Sequence, residues 1–373
     1  MRKKVGITGQ SGFIGSCLLH HLMLRREDFD LIDFERSFFE NPNQMDEFVE
    51  KCDVIVHLAA INRHENKEKL YETNVGLAQK LIQSFYRTGS KPHLIMSSSI
   101  QEHSSNLYGE SKKDARILFS KWSVDTNSTF TGMIIPNVFG PFCLPFYNSV
   151  VATFCYQLIH DEIPIIDKDN LLSLIYVDDL VFHIIDCIKS TMNSHFLEVK
   201  EGARKKVSEI LADLNYFRSV YGNFGEIPVL NSAYKVQLFN TYRSYINLKE
   251  YYPKYFSERI DDRGSFVEII RHGVSGQTSY SKTLPGITRG NHYHTRKFER
   301  FAVIQGKALI QVRRIGSLEK FEFELDGVKP SYVDIPIWYT HNIKNIGKNN
   351  LLTVFWINEP FDPKDPDTYF ENV

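Results

Sequence analysis

The chain lacks the features that would tie it to an oxidising compartment, a membrane or a nucleic acid. Its five cysteines, Cys17, Cys52, Cys143, Cys155 and Cys187, are odd in number, never spaced as CxxC, and absent from the last half of the sequence. Such scatter excludes a disulfide framework and suits reduced, mostly buried thiols. No stretch approaches the roughly 20 apolar residues that a membrane helix needs. The opening MRKKVGITG meets glycine too early for a secretory leader and reads as a first strand. A formal net charge of −1 offers no basic field to draw the chain to nucleic acid or anionic lipid. Internal repeats and low-complexity segments are missing as well. The expectation is a cytoplasmic protein with neither a nucleic-acid nor a membrane partner.

What is present is length, and a change of texture along it. A chain of 373 residues exceeds one ordinary domain. The first half alternates short apolar runs (VGIT, VIVHLAA, HLIMSSS, TGMIIPNVFG) with helical patterns, among them stretches near 70–87 and 107–123. Strand–helix alternation with nearly continuous apolar strands predicts a doubly wound parallel α/β sheet of the Rossmann type. Residues 190 to 245 are mixed and Tyr-rich, with helical periodicity near 207–220. From Ile260 onward, short β-rich runs (SFVEIIR, RFAVIQGKALIQVRRI, KFEFEL, SYVDI, LLTVFWI) follow one another between Gly and charged turns. These predict an antiparallel sandwich or small barrel. The division falls around YYPKYF, which sets domains of 1–245 and 246–373.

In the first domain, VGITGQSGFIG spaces Gly9, Gly12 and Gly15 as GxxGxxG between a strand and a helix. Here the chain must turn tightly, approach a pyrophosphate with its backbone, and offer helix N-terminal N–H groups to the phosphates. After the next strand, Asp33 is of the type that accepts from a ribose 2′-OH, whereas Arg36 would accommodate a 2′-phosphate; the pair leans to NADPH. Ser97, Ser98 and Ser99 end a later strand, and Tyr108 and Lys112 stand four apart on one helix face. A phenol titrates near about 10, and a neighbouring cation favours its phenolate. Tyr108 is thus a candidate proton donor to a carbonyl reduced by hydride, with Ser99 holding the same oxygen.

These motifs resemble the extended short-chain dehydrogenase/reductase family, many of whose members act on nucleotide-activated sugars. The matching segments are TGQSGFIG (8–15), VIVHLAA (54–60), TNVGLAQKLI (73–82), MSSSI (96–100), YGESK (108–112), PNVFGP (136–141) and IYVDDLV (175–181). The resemblance implies Ser99, Tyr108 and Lys112 as the catalytic set. It also implies cofactor contacts from Gly9, Gln10, Gly12, Phe13, Ile14, His57, Leu58 and Ala59, and a sugar-nucleotide contact from Asn137. Three departures stand out: Ser99 and Tyr108 are separated by only eight residues, Ile134 replaces a customary arginine, and the interval from Asp33 to Val54 is too short for the usual extra strand.

The second domain carries GITRGNHYHTRKFE at 286–299. His292 and His294 are two apart, as side chains on one strand face are, and Glu299 lies five beyond across a bend. IPIWYTHNIKN adds His341 downstream. Three imidazoles and a carboxylate make a sound ligand set for one divalent metal, with zinc expected first and iron, manganese or nickel equally compatible with the donors. The arrangement resembles the cupin family, whose two segments run from Gly290 to Gly306 and from Pro336 to Asn345; Trp338 stands where that family usually has glycine. The resemblance implies His292, His294, Glu299 and His341 as metal ligands. RIDDRGSFVEI (259–269) and GITRGNHYH (286–294) also resemble the sugar-nucleotide 3,5-epimerases, which use no metal and take the His of RGxH as base. That His is His292, and ligand and base remain alternatives for it.

A reductase followed by such a cupin resembles the bifunctional capsular polysaccharide enzymes of UDP-N-acetyl-L-fucosamine formation. This resemblance implies a UDP-activated 4-keto-6-deoxy amino sugar as substrate. It implies C3 epimerisation in the cupin, NADPH-dependent C4 reduction in the first domain, and a homodimer. The competing expectation is a single-function reductase whose cupin is a metal-stabilised dimerisation module.

Overall fold

The computed structural model describes residues 2–190, 193–256, 258–261, 264–267, 269, 276–359 and 362–373. The side chains of the epimerase-like segment 259–269 lie largely outside the described residues. The chain divides into two compact units, one of Met1–Phe154 and Ile165–Ile210, the other of Cys155–Pro164 and Leu211–Val373. No helix among the described residues is long and apolar enough to cross a membrane.

The first unit opens with β1 (Lys3–Thr8), α1 (Phe13–Met23) and β2 (Phe29–Ile32). It continues through α2 (Pro42–Lys51), β3 (Val54–His57), α3 (Lys67–Thr88), β4 (His93–Ser99), α4 (Leu107–Thr126) and β5 (Phe130–Ile135). Then come β6 (Asn137–Phe139), α5 (Val150–Ile159), β7 (Leu171–Tyr176), α6 (Val177–Lys189), β8 (Ser194–Glu198) and β9 (Ala203–Lys206). A six-stranded sheet runs in the order β2-β1-β3-β4-β5-β8, with every pair parallel. Parallel strands are covered on both faces, and adjacent residues of β3 go to opposite cores. Val54 and Val56 join Val5, Ile7, Leu18 and Leu180 on one side; Ile55 joins Phe48, Leu81, Phe119 and Trp122 on the other. The Rossmann-type doubly wound sheet expected from the alternation is therefore present. β2 is its edge, because the interval between Asp33 and Val54 is taken up by a short 3-10 turn and α2 rather than by another strand.

The second unit holds the end of α7 (Val207–Phe217), then α8 (Ala233–Arg243) and α9 (Leu248–Tyr251), before the β-region. Its strands are β10 (Lys254–Tyr255), β11 (Glu258–Asp261), β12 (Gly264–Val267), β13 (Gln277–Thr283), β14 (Thr288–Tyr293), β15 (Glu299–Gln305) and β16 (Lys307–Arg314). They are followed by β17 (Lys320–Asp326), β18 (Ser331–Ile335), β19 (Tyr339–Asn345), β20 (Leu351–Ile357) and β21 (Tyr369–Phe370). Two five-stranded antiparallel sheets result, β10-β18-β15-β20-β13 and β17-β16-β19-β14-β21, consistent with the expected cupin jelly roll. β13 was not among the apolar runs of the sequence: it is an edge strand with the pattern QTSYSKT, so no continuous hydrophobic stretch marks it.

One buried charge network ties the helices of this unit to its barrel. Arg300 on β15 makes a bidentate pair with Asp334 on β18, at 2.8 and 3.0 Å, with both side chains sealed from water. The Tyr221 hydroxyl donates to the same carboxylate and also meets the Tyr252 hydroxyl at 2.7 Å. The Arg243 guanidinium is buried against the rings of Phe298, Tyr221 and Phe239, at 4.7, 5.5 and 5.8 Å. Burial alone would raise the Asp334 carboxyl, but the two guanidinium groups outweigh it and hold the group ionised. Removing one partner of a buried pair leaves the other charge uncompensated, at a cost of about 3–5 kcal/mol. Asp334→Ala should therefore lower the urea unfolding free energy by about that amount, and a loss below about 1 kcal/mol would show that water reaches the network.

Candidate functional site

The turn between β1 and α1 is built from glycine because nothing larger fits. Gly9 has φ +79, and a Cβ there would lie 2.8 Å from the Ala59 nitrogen. A Cβ on Gly15 would sit 2.1 Å from the Gly9 carbonyl oxygen. The backbone is thereby drawn against the end of β3, and α1 starts at Gly12 with neither a side-chain cap nor an acidic residue in its first turn. Its N–H groups and its dipole are left for an anion. Gln10 donates to the Phe34 carbonyl at 2.7 Å, which fastens the turn to the segment carrying Asp33 and Arg36. Both of those side chains are exposed just beyond β2. Ile14 and Leu58 pack on one core and Ala59 on the other, while Phe13 opens α1.

His57 ends β3, fully buried, with its Nδ1 2.8 Å from the Thr8 hydroxyl. Burial, and then the charge of Lys112, push its pKa down to about 3. An unfolded imidazole takes a proton below about 6.5, whereas the folded one resists until about pH 3. Acid therefore favours the unfolded state across that window. Urea midpoints should fall as pH is lowered from about 6.5 toward 3, and His57→Gln should flatten the slope; an unchanged slope would place the effect elsewhere.

The three serines at the end of β4 have different partners. Ser97 reaches the His57 carbonyl at 3.4 Å, and Ser98 donates to Glu102, whose carboxylate is held bidentately by Arg116. Ser99 accepts from the Gln101 N–H at 3.1 Å, which leaves its own proton for another oxygen. That difference favours Ser99 over its neighbours. α4 then begins with Asn106 accepting from the Gly109 N–H, and a Cβ on Gly109 would come within 1.9 Å of the Gln101 carbonyl oxygen. The eight-residue interval works only because the helix start is pressed onto this turn. Asn74 on α3 braces the other side, bonding both backbone groups of Ile61 and meeting the Ser111 hydroxyl at 3.0 Å. No motif in the sequence marks the Glu102–Arg116 pair, and only the TNVG segment points to Asn74.

The electrostatics of Tyr108 differ from the expectation of a phenol favoured as phenolate by Lys112. Burial, with the Tyr147 phenol second, raises its pKa to about 12. Lys112 is itself buried, and desolvation lowers it to about 8 despite the Glu102 carboxylate. In a desolvated setting an ammonium loses much of its hold on its proton. Tyr108 is thus protonated at neutral pH, the state a proton donor requires. Asn137 lies on β6, half-buried, and donates to the Ser173 carbonyl at 3.1 Å. Gly109→Ala should reduce carbonyl reduction by about 100-fold while nicotinamide binding persists, as separate titration and turnover assays would show.

In the barrel, His292, His294, Glu299 and His341 converge, with one ligand atom of each lying within 4.8 Å of all the others. β14 and β19 align His292 directly opposite His341 after a bulge at Asn291, which has φ +59. A Cβ on Gly290 would meet the His341 carbonyl oxygen at 2.7 Å, so the bulge needs glycine there. Trp338, in the usual glycine position, does adopt a left-handed φ of +60; its N–H donates to the His294 carbonyl at 2.7 Å and its indole stacks on Tyr293. His294 Nδ1 faces the Asp367 carbonyl and His341 Nδ1 the Tyr339 carbonyl, and a carbonyl can only accept. In the neutral rings both Nε2 atoms therefore present lone pairs, 3.3 and 3.0 Å from the same Glu299 Oε2. All three atoms are buried without a properly aligned hydrogen bond. Lone pairs converging in this way call for a positive charge among them, either a proton on an imidazole, which Glu299 favours at His294, or a metal ion, and the donor set fits a divalent metal. Burial would raise Glu299, but once protonated the two imidazoles outweigh it through hydrogen bonds and charge, holding it far below the carboxylate range, and Glu299 in turn raises His294. His292 is lowered to about 4 by burial and then by His341 and His294, so it is neutral near pH 7, as both a ligand and a base must be.

A profile described as NAD dependent epimerase/dehydratase family matches residues 5–194, and one described as polysaccharide biosynthesis C-terminal domain matches residues 259–369. The chain belongs to the NAD dependent epimerase/dehydratase family. It is 33% identical over 368 residues to a Pseudomonas aeruginosa UDP-2-acetamido-2,6-beta-L-arabino-hexul-4-ose reductase, covering 98% of each chain. Its structure is similar to that of the capsular polysaccharide assembling protein CapF from Staphylococcus aureus, with TM-score 0.64 and 35% identity over 99% of this chain and 100% of that one. A stretch of the chain is 26% identical over 117 residues to the Bacillus subtilis spore coat polysaccharide biosynthesis protein SpsL, covering 29% of this chain and 78% of the other. Membership in the family brings a nicotinamide cofactor, which the glycine turn fits.

Proposed function

We propose that the chain is a bifunctional sugar-nucleotide enzyme acting in capsular polysaccharide synthesis on a UDP-activated 4-keto-6-deoxy amino sugar. In this reading the cupin epimerises C3 and the Rossmann domain then reduces the C4 ketone, toward UDP-N-acetyl-L-fucosamine. The observation that carries it is the presence of two separate sets in one chain, Ser99, Tyr108 and Lys112 in one unit and the four converging ligands in the other. The end-to-end similarity to a reductase of a UDP-linked 4-ulose supports the substrate class.

A C4 ketone acidifies the neighbouring C3 proton, because the anion delocalises onto the ketone oxygen. A divalent metal, zinc in this proposal, would be held by His294, Glu299 and His341 with His292 as a further ligand, and would supply Lewis-acid stabilisation of negative charge on that oxygen. If His292 instead stays free, its neutral imidazole is the group that takes the C3 proton. In the first domain a bound nicotinamide, NADPH in this proposal, supplies the hydride. The exposed Arg36 beside Asp33 suits a 2′-phosphate. Tyr108 holds the proton that the C4 oxygen receives, and Ser99 donates a hydrogen bond to that oxygen. Lys112 and Asn137 position cofactor and sugar nucleotide. Domains of 1–245 and 246–373 and a homodimeric assembly are part of the same proposal.

Tyr108→Phe incubated with a UDP-4-keto sugar in deuterated water should still exchange the C3 proton while reduction is lost. Absence of exchange, or its loss together with reduction in this variant alone, would sink the division of labour. The alternative reading, a reductase with a metal-stabilised dimerisation cupin, predicts that His341→Ala lowers the melting temperature yet leaves turnover of the 4-keto sugar intact.

A further inference from the structure

One residue outside every motif in the sequence sits behind the barrel cluster. Asp367 follows the last described loop and precedes β21, is 2% exposed, and has φ +42. Its carboxylate accepts four hydrogen bonds. Oδ1 takes the Thr295 N–H at 3.1 Å and the Thr295 hydroxyl at 2.7 Å. Oδ2 takes the Arg296 N–H at 3.1 Å and the Lys297 N–H at 3.0 Å. Three consecutive backbone donors thus wrap one carboxylate. Those residues are the bend between His294 and Glu299. The backbone carbonyl of the same Asp367 accepts from His294 Nδ1. Lys297 and Arg296 fasten the approach to it, with Lys297 Nζ on the Pro366 carbonyl at 2.9 Å and Arg296 paired to Asp365 at 2.7 Å.

We infer that Asp367 is the positioning residue of the cluster: its carboxylate shapes the bend that joins His294 to Glu299, and its carbonyl sets the His294 tautomer. The inference rests on the proposed reading of the cluster as a metal site. The side chain and the carbonyl act together, because the four bonds to the carboxylate fix where the carbonyl stands. With Nδ1–H held, the lone pair of Nε2 points at the shared site; with it released, the ring can rotate or exchange tautomers. Partners of this kind, one bond behind a ligand, typically change metal affinity by about 10–100-fold. The two carboxylate oxygens accept from all three N–H groups, whereas an amide would turn its NH2 toward at least one of them.

Asp367→Asn is the discriminating variant, since Asn tolerates a positive φ while losing one acceptor oxygen. Zn2+ affinity, measured by competition with a chromophoric chelator, should weaken by about 10–100-fold, alongside a fall in the metal-free melting temperature from the buried N–H groups that lose their acceptor. In histidine-selective 15N spectra, the slowly exchanging Nδ1–H proton of His294 should be lost. Thr295→Val removes one bond of the four and should shift both readouts in the same direction by less; it carries the test should Asp367→Asn fail to fold. Native Zn2+ affinity with a retained Nδ1–H signal would overturn the inference. A native chain that binds no Zn2+ would defeat the metal reading instead, and the His294 proton would then decide the positioning role alone: lost in the variant, it stands; retained, it falls.

Discussion

A carboxylate removed from water must be compensated by partners that stay in place, and each functional region of this chain is organised around one such group. Glu102 is held bidentately by Arg116 beneath the serines of β4. Asp178, at the start of α6, meets Cys17 and His21 of α1 at 3.1 and 3.2 Å. Asp334 gathers Arg300 and Tyr221, and Glu299 lies between two imidazoles. Asp367 is enclosed by backbone donors. Each case converts a desolvation cost into a geometric constraint, because the charge is tolerated only while all its partners remain aligned. The candidate catalytic and ligating groups inherit that alignment.

The two candidate sites use burial in opposite ways. In the Rossmann unit it lowers the charge of the site: His57 is kept neutral, Lys112 is weakened as an acid–base cation, and Tyr108 keeps its proton. That suits a reaction in which a neutral donor hands a proton to an oxygen as hydride arrives. In the barrel, burial surrounds a persistent carboxylate with imidazoles whose other nitrogens are already committed to carbonyls. That suits cation binding.

Glycine explains a second shared feature. Gly9, Gly15, Gly109 and Gly290 each stand where a Cβ would strike backbone, and each brings a backbone segment into a site. The first three shape the cofactor turn and the start of the Tyr108 helix, and the fourth lets the bulge place His292 opposite His341. Trp338 shows the contrary solution: a large side chain accepts a left-handed backbone because stacking and a backbone hydrogen bond offset the strain.

The sequence by itself determined the two architectures and the identity of the candidate groups. Apolar periodicity, glycine spacing and the HxH, YxxxK and SSS motifs are local patterns, and local backbone geometry translates them directly into strands, turns and faces. It also predicted a phenol shifted toward phenolate, which the fold does not show, because desolvation depends on everything that surrounds Tyr108 and not on one neighbour four residues away. Tertiary structure alone revealed the roles of Asn74, Glu102, Arg116 and Asp367, which meet Ile61, each other and His294 across 13, 14 and 73 residues. Their side chains carry no motif, since a polar residue is ordinary until burial makes its partner obligatory. Which donors face which lone pairs is decided only when those distant segments meet.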